Sequence, residues 1–149
     1  MAEMGLGDLR AVRRTVVAFG YKQNESEARP FLQHEDSVVR ELALGALHPG
    51  VDLGPLLVDP EPVVVEMAVW AYGEREQVDD NTLQTIISLT TDHDDQLVRE
   101  AGAAALGAIG DERGVPAILS ACEDKPAVRR RAVLALAPFS GPEIETAID

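Results

Sequence analysis

The residue types able to do chemistry are few in this sequence. It holds three histidines, in His34-Glu35, His48-Pro49 and His93-Asp94. An imidazole beside a carboxylate can give two ligands to one metal, but a metal site needs three or four donors converging on one point. His34-Glu35 is the only His-Glu pair, so a solvated turn histidine is the expected reading. Asp92, Asp94 and Asp95 gather hard oxygens, yet they lack the ligand spacing and the glycine of a Ca²⁺ loop. Their position just before an apolar run suits helix capping instead. Arg129-Arg130-Arg131 is the one basic run, and three consecutive helical residues point in different directions. Cys122 is the single cysteine. It can form no intramolecular disulfide and is expected on a buried helix face as a small hydrophobe. No Ser/His/Asp or Cys/His arrangement, P-loop or dinucleotide fingerprint is present. The expectation is therefore no enzyme, with no catalytic residue, cofactor or bound metal. Trp70 stands in a column otherwise held by Ala18, Gly45, Ala104 and Leu134, so it either fills a gap beside small neighbours or, with Tyr72, is a candidate partner contact, since both types are enriched at binding hot spots.

The charge balance narrows the choice of partner. The chain carries 26 acidic and 13 basic residues, a net charge of −13. Nucleic acid is bound through Lys and Arg that neutralise phosphates, so nucleic acid and anionic membrane surfaces are disfavoured. A protein partner with a basic segment is compatible, although the charge also serves solubility. The N-terminal MAEMGLGDLR has no apolar leader core, and no apolar run approaches the roughly 20 residues that a bilayer needs. A cytoplasmic protein is expected.

The elements that would position these residues repeat along the chain. In Asp92–Asp124, Val98, Ala101, Ala105 and Ile109 recur at helical spacing. Gly107 and Gly110 supply stop signals, and Pro116 suits the first turn of a second helix, whose apolar face is Ile118, Leu119 and Cys122. Stacking the chain on its valines gives the column Val12, Val39, Val64, Val98, Val128. Four residues on stand Val16, Ala43, Ala68, Gly102 and Ala132, and seven on stand Phe19, Ala46, Ala71, Ala105 and Ala135. An acid precedes each valine by three or four residues: Asp8, Asp36, Glu61, Asp94 or Asp95, and Asp124. Units of this length, with two helices each and no alternating strand pattern, indicate an α-solenoid.

The D-x-x-V-R … A-L-G … G-D pattern resembles the HEAT-repeat family, and is closest to short bacterial HEAT-like units such as those of phycobilisome-lyase-type proteins. Asp95-Gln-Leu-Val98-Arg99 with Ala105-Leu106-Gly107 and Gly110-Asp111 carries the match best, followed by Asp36-Ser-Val-Val39-Arg40 with Ala46-Leu47. The resemblance implies an all-α, right-handed α-solenoid of about five HEAT-like helix-turn-helix repeats. They would form one domain over 1–149, with repeats near 8–33, 34–58, 59–91, 92–123 and 124–149. It also implies a ladder between neighbouring repeats, from Arg13, Arg40, Arg99 and Arg129 to acids such as Asp36 and Asp95. An anion site is the other reading of that arginine column. Val65 stands in the arginine position of the third repeat, so the ladder should break there.

The function implied is a non-catalytic protein-interaction scaffold that holds a partner on a surface formed by the second helices. The alternative is an accessory, chaperone-like or lyase-type subunit that presents or attaches a small molecule to a partner. Two similarities to HEAT-like proteins stay incomplete. The iron site of deoxyhypusine hydroxylase needs facing His-Glu pairs, and HEAT-like DNA glycosylases need a basic groove. At the C-terminal end, Val133, Leu134, Leu136 and Phe139 look thinly covered by the short stretch after Pro142, so that edge is expected to be used, either by self-association or by further repeats of a longer array.

Overall fold

The computed structural model describes residues 6–21, 25–45 and 52–149, and every regular element among them is helical. Ala46, Leu47, His48 and Pro49 lie outside the described residues, as does the side chain of Phe19. The chain divides into two compact units, Met1–Asp52 and Leu53–Asp149. The division falls inside the expected second repeat, between its first and second helices.

In the first unit, α1 (Leu6–Tyr21) and α3 (Ser37–Gly45) are first helices of their repeats, packed on each other. Between them α2 (Glu25–Ala28) runs into a 3-10 turn, Arg29–Gln33, with Pro30 in its first turn. Val16, Val39 and Ala43 are buried at its centre, with Val12, Phe31, Leu32 and Leu42 packed around them.

The second unit begins with a 3-10 turn, Gly54–Val58. The helix pairs α4 (Pro62–Gly73) and α5 (Asp80–Asp92), α6 (Gln96–Ile109) and α7 (Val115–Ala121), and α8 (Pro126–Ala135) and α9 (Pro142–Ile148) follow. First helices stack α4 on α6 on α8, and α5 packs on both α6 and α7. Stacked first helices with second helices alongside make this unit an α-solenoid. Local chemistry sets the ends. The Asp79 carboxylate accepts from Thr82 N–H at the start of α5, and Asp95 accepts from Leu97 N–H at the start of α6. Prolines occupy the first turns of α4, α7, α8 and α9, where a missing N–H costs little.

The valine column lies on the core axis: Val39, Val64, Val98 and Val128 have no exposed surface. The small column explains the close stacking. A Cβ on Gly102 would fall on the Thr90 hydroxyl of α5 and lie 3.2 Å from Thr90 Cα. Gly107 departs from its expected role as a stop signal. α6 runs through it to Ile109, and the left-handed cap is Gly110, at φ 72°. A Cβ on Gly107 would stand 2.7 Å from Ala135 Cα, so this glycine lets α6 and α8 touch backbone to backbone.

Candidate functional site

The arginine column builds joints between repeats. Arg13 on α1 grips Asp36 at the start of α3 with Nη2 at 2.9 and 3.0 Å from the two carboxylate oxygens. Arg99 on α6 grips Asp124 before α8, with Nε at 2.8 Å and Nη2 at 3.1 Å. The fork of a guanidinium matches a carboxylate at two points, which fixes orientation as well as distance. Each arginine therefore ties one first helix to the turn that opens the next repeat.

Arg40 and Arg99 also reach backward. Arg40 Nη1 donates to the carbonyls of His34 and Glu35 at 2.7 and 3.1 Å. Arg99 Nη1 donates to those of His93 and Asp94 at 2.8 and 3.0 Å. In both turns the histidine Nδ1 accepts a backbone N–H, from Asp36 and from Asp95, at 3.0 Å. His34 and His93 are thus the same structural residue in two repeats, and the ring nitrogen nearest the acids closes the turn. The metal reading of His34-Glu35 gave no hint of this. The signal was present: the two histidines are 59 residues apart, the same spacing as Val39 to Val98 and Arg40 to Arg99.

Two expected ladder members do otherwise. Asp95 caps α6 and makes no ion pair among the described residues, because the position that would send it an arginine holds the buried Val65. Arg129 is exposed and likewise forms no ion pair among the described residues. A surface pairing absent from the expected ladder joins Arg113 to Asp111 at 2.8 Å and to Asp80 at 2.9 Å.

The joints leave an electrostatic mark. The Arg99 guanidinium beside Asp124 holds that carboxyl below the usual carboxylate range, against partial burial, and Asp124 in turn pushes Arg99 up. Burial pushes Asp36 up, but Arg13, the Val39 N–H and His34 outweigh it and leave the carboxyl lowered. Arg113 lowers Asp111 to about 2. Each folded-state pKa lies below its unfolded value, so the unfolded chain takes up these protons first as pH falls. The stabilisation is full above the unfolded carboxylate range near pH 4, shrinks as pH falls through the folded values, and is gone below them. Melting temperature should be flat above about pH 5 and fall steeply beneath it. Asp124→Asn should flatten part of that acid limb, and an equally steep limb in the variant would remove this joint from the account.

The surface of the second unit has two unlike faces. Val63 and Trp70 on α4, Leu97 on α6 and Leu134 on α8 are exposed, Trp70 at 38% and Leu134 at 67%. Val63 and Trp70 are seven residues apart, so they share one face of their helix. The Arg131 guanidinium of α8 lies 5.5 Å from the Trp70 ring centre, within cation–π range, and 3.7 Å from the Glu100 carboxylate of α6. This contact crosses all three first helices. The second helices α5, α7 and α9 contain no Lys or Arg, and their exposed residues include Gln84, Ser88, Ser120, Glu143 and Glu145 together with the apolar Ile148. Four exposed large apolar side chains of this unit, Val63, Trp70, Leu97 and Leu134, lie on first helices, and two more, Val58 in the 3-10 turn and Ile148 on α9, lie elsewhere.

Tyr72 is corrected outright as a contact residue. It is 3% exposed, its hydroxyl accepts the Leu53 N–H at 2.9 Å, and the Arg75 guanidinium lies 4.3 Å from its ring centre. It anchors the start of the second unit inside the core. The C-terminal edge is also better covered than expected. Leu136 and Phe139 are buried, Val133 is half-buried, and α9 buries Ile144, so Leu134 is the exposed member of that set. Cys122 is buried, and burial pushes its thiol up, which keeps it protonated and unreactive. Among the described residues no three His, Cys, Asp or Glu side chains cluster for a metal, and no helix is long and apolar enough to cross a membrane.

The family profile for HEAT repeats matches residues 51–141. No curated protein matches the sequence at a significant level. The matched span runs from the end of the first unit through α4 to α8, the stacked first helices with their second helices between, and it covers more than half of the chain. The chain belongs to the HEAT-repeat family.

Proposed function

We propose that this protein is a non-catalytic interaction scaffold that holds a protein partner on the first-helix face of its second unit. HEAT repeats commonly serve as protein-interaction scaffolds, which supports this class of function. The observation that carries the reading is the exposed set Val63, Trp70, Leu97 and Leu134 on the three stacked first helices, with Arg131 of α8 lying over the Trp70 ring. Scattered exposed leucines need no explanation, but apolar side chains aligned on three adjacent helices with a half-exposed Trp do. Leu53–Asp149 holds 18 acidic against 7 basic residues, a net of −11, so a partner segment with apolar anchors and flanking basic residues suits it. The cytoplasm, where a lone thiol stays reduced, is the compartment this reading assigns.

A photo-crosslinking residue placed at Leu134 or at Val63 should capture the same partner from the native source, while one placed at Ser88 of α5 should not. Trp70→Ala should then weaken binding of that purified partner by about tenfold or more. Capture only from Ser88, or affinity unmoved by Trp70→Ala, would overturn the assignment of this face.

A further inference from the structure

Trp70 belongs to a row. It lies six residues after Val64, as Ala104 lies six after Val98 and Leu134 six after Val128. The three stacked first helices therefore carry a large side chain at Trp70, a methyl group at Ala104 and a large side chain again at Leu134. A cation lies along that row. Arg131 is three residues before Leu134 on α8, on the same side of the helix. Its guanidinium reaches back to within 5.5 Å of the Trp70 ring centre. A segment that spans Leu134 and Trp70 must cover it.

Arg131 has donors to spare. Its ion contact within the chain is Glu100 of α6, at 3.7 Å, which is too long for a hydrogen bond. It makes no hydrogen bond among the described residues. The side chain is 41% exposed, so solvent serves its N–H groups while the face is open. A partner seated on the row removes that solvent. A guanidinium buried without acceptors is costly, and a carboxylate brings two oxygens that match its fork. Glu100 does not balance the charge here. Arg130, four residues before Leu134, is exposed as well. Among the described residues, Glu100 is the one carboxylate that Arg130 and Arg131 have as an ion-pair partner. The excess at this point of the face is positive, although the unit as a whole is strongly acidic.

We propose that the partner segment presents a carboxylate, an Asp or Glu side chain set between its apolar anchors, and that Arg131 receives it beside the Trp70 ring. This rests on the first-helix face being the docking surface, and adds the chemistry that selects the segment. The occupant is a peptide segment with apolar anchors for Trp70 and Leu134, an acid between them for Arg131, and basic residues outside for the acidic surround. A segment of apolar anchors alone leaves Arg131 covered without an acceptor. A segment with Lys or Arg at that point meets like charge, which excludes it. Trp70 supplies contact area, and Arg131 is the specificity-determining residue.

A displayed library of random peptides, panned on the purified full chain with the Trp70→Ala chain as counter-selection, tests this. Circular dichroism of each variant checks that the fold is kept. The enriched peptides should carry large apolar residues with an Asp or Glu between them. For a synthetic peptide of that sequence, replacing the acid by its amide should weaken binding by about tenfold or more, and Arg131→Gln in the chain should weaken it as much. Made together, the two changes should cost little beyond either alone, which a merely structural role of Arg131 would not produce. The Arg131→Glu chain should prefer the same peptide with Lys in place of its acid. Peptides that need Trp70 but carry no acid, or an acid whose replacement costs as much in the Arg131→Gln chain as in the parent, would overturn this inference and leave the docking face standing. No peptide enriched over the Trp70→Ala chain would overturn the face, and this inference with it.

Discussion

Gly102→Leu will lower the melting temperature by on the order of 10 °C. The position lies on α6 where α5 crosses, and even a methyl group there would collide with the Thr90 hydroxyl and crowd Thr90 Cα. Thr90 cannot swing away cheaply. It is buried, and its hydroxyl donates to the Ile86 carbonyl at 2.8 Å. Leucine would gain roughly 1 kcal/mol of intrinsic helix propensity over glycine. Forcing its branch between two packed helices costs about 1–3 kcal/mol and often more, because α5 must move as a body. The balance is destabilising. Ala108→Leu, exposed on the same helix, should change stability by less than about 0.5 kcal/mol. Pairing Gly102→Leu with Thr90→Ala should recover only part of the loss, since Thr90 Cβ and Cα remain 3.1 and 3.2 Å from the new Cβ. A melting temperature that Gly102→Leu leaves unchanged would contradict the placement.

What the sequence disclosed about the fold was the part that repeats. Column agreement identified Val39, Val64, Val98 and Val128 as core and Gly102 as a close-approach site, because stacking forces equivalent positions into equivalent surroundings. The Arg–Asp joints followed from the same logic. What stayed hidden depended on single events outside the repeat. Tyr72 looks like a surface aromatic until the Leu53 N–H, 19 residues earlier, arrives to meet its hydroxyl. Gly107 and Gly110 carry the same residue type three positions apart, and nothing local says that one faces Ala135 while the other takes a positive φ. Phe139 and Leu136 look uncovered in the sequence because the seven-residue α9 is short, yet its Ile144 is buried. The candidate surface was the least legible part. Which face of a helix looks outward depends on which neighbours are stacked on it, so Trp70 could be singled out from sequence, Leu134 only together with the buried Leu136 and Phe139, and Leu97 not at all.

Arg99→Ala will destabilise the second unit by about 2–3 kcal/mol. The side chain is only 13% exposed and that of its partner Asp124 20%, so solvent neither supports nor screens them well. The guanidinium makes four hydrogen bonds at once, two to Asp124 and two to the carbonyls of His93 and Asp94. Truncation leaves all four acceptors short of a partner, and a half-buried carboxylate left alone costs more than the intact pair contributes. A double-mutant cycle with Asp124→Ala isolates the pair itself, and its coupling should be about 1 kcal/mol or more. The remainder of the Arg99→Ala loss should persist in the Asp124→Ala background, because the carbonyls of the turn still lack their donor. Arg113→Ala provides the contrast. Its side chain is 50% exposed, its pairs with Asp80 and Asp111 sit at the surface, and its removal should cost clearly less than that of Arg99. Chemical denaturation of the four cycle members and of Arg113→Ala distinguishes these outcomes. If Arg99→Ala cost no more than Arg113→Ala, the arginine column would be surface decoration, and the coupling between repeats would have to come from apolar stacking alone.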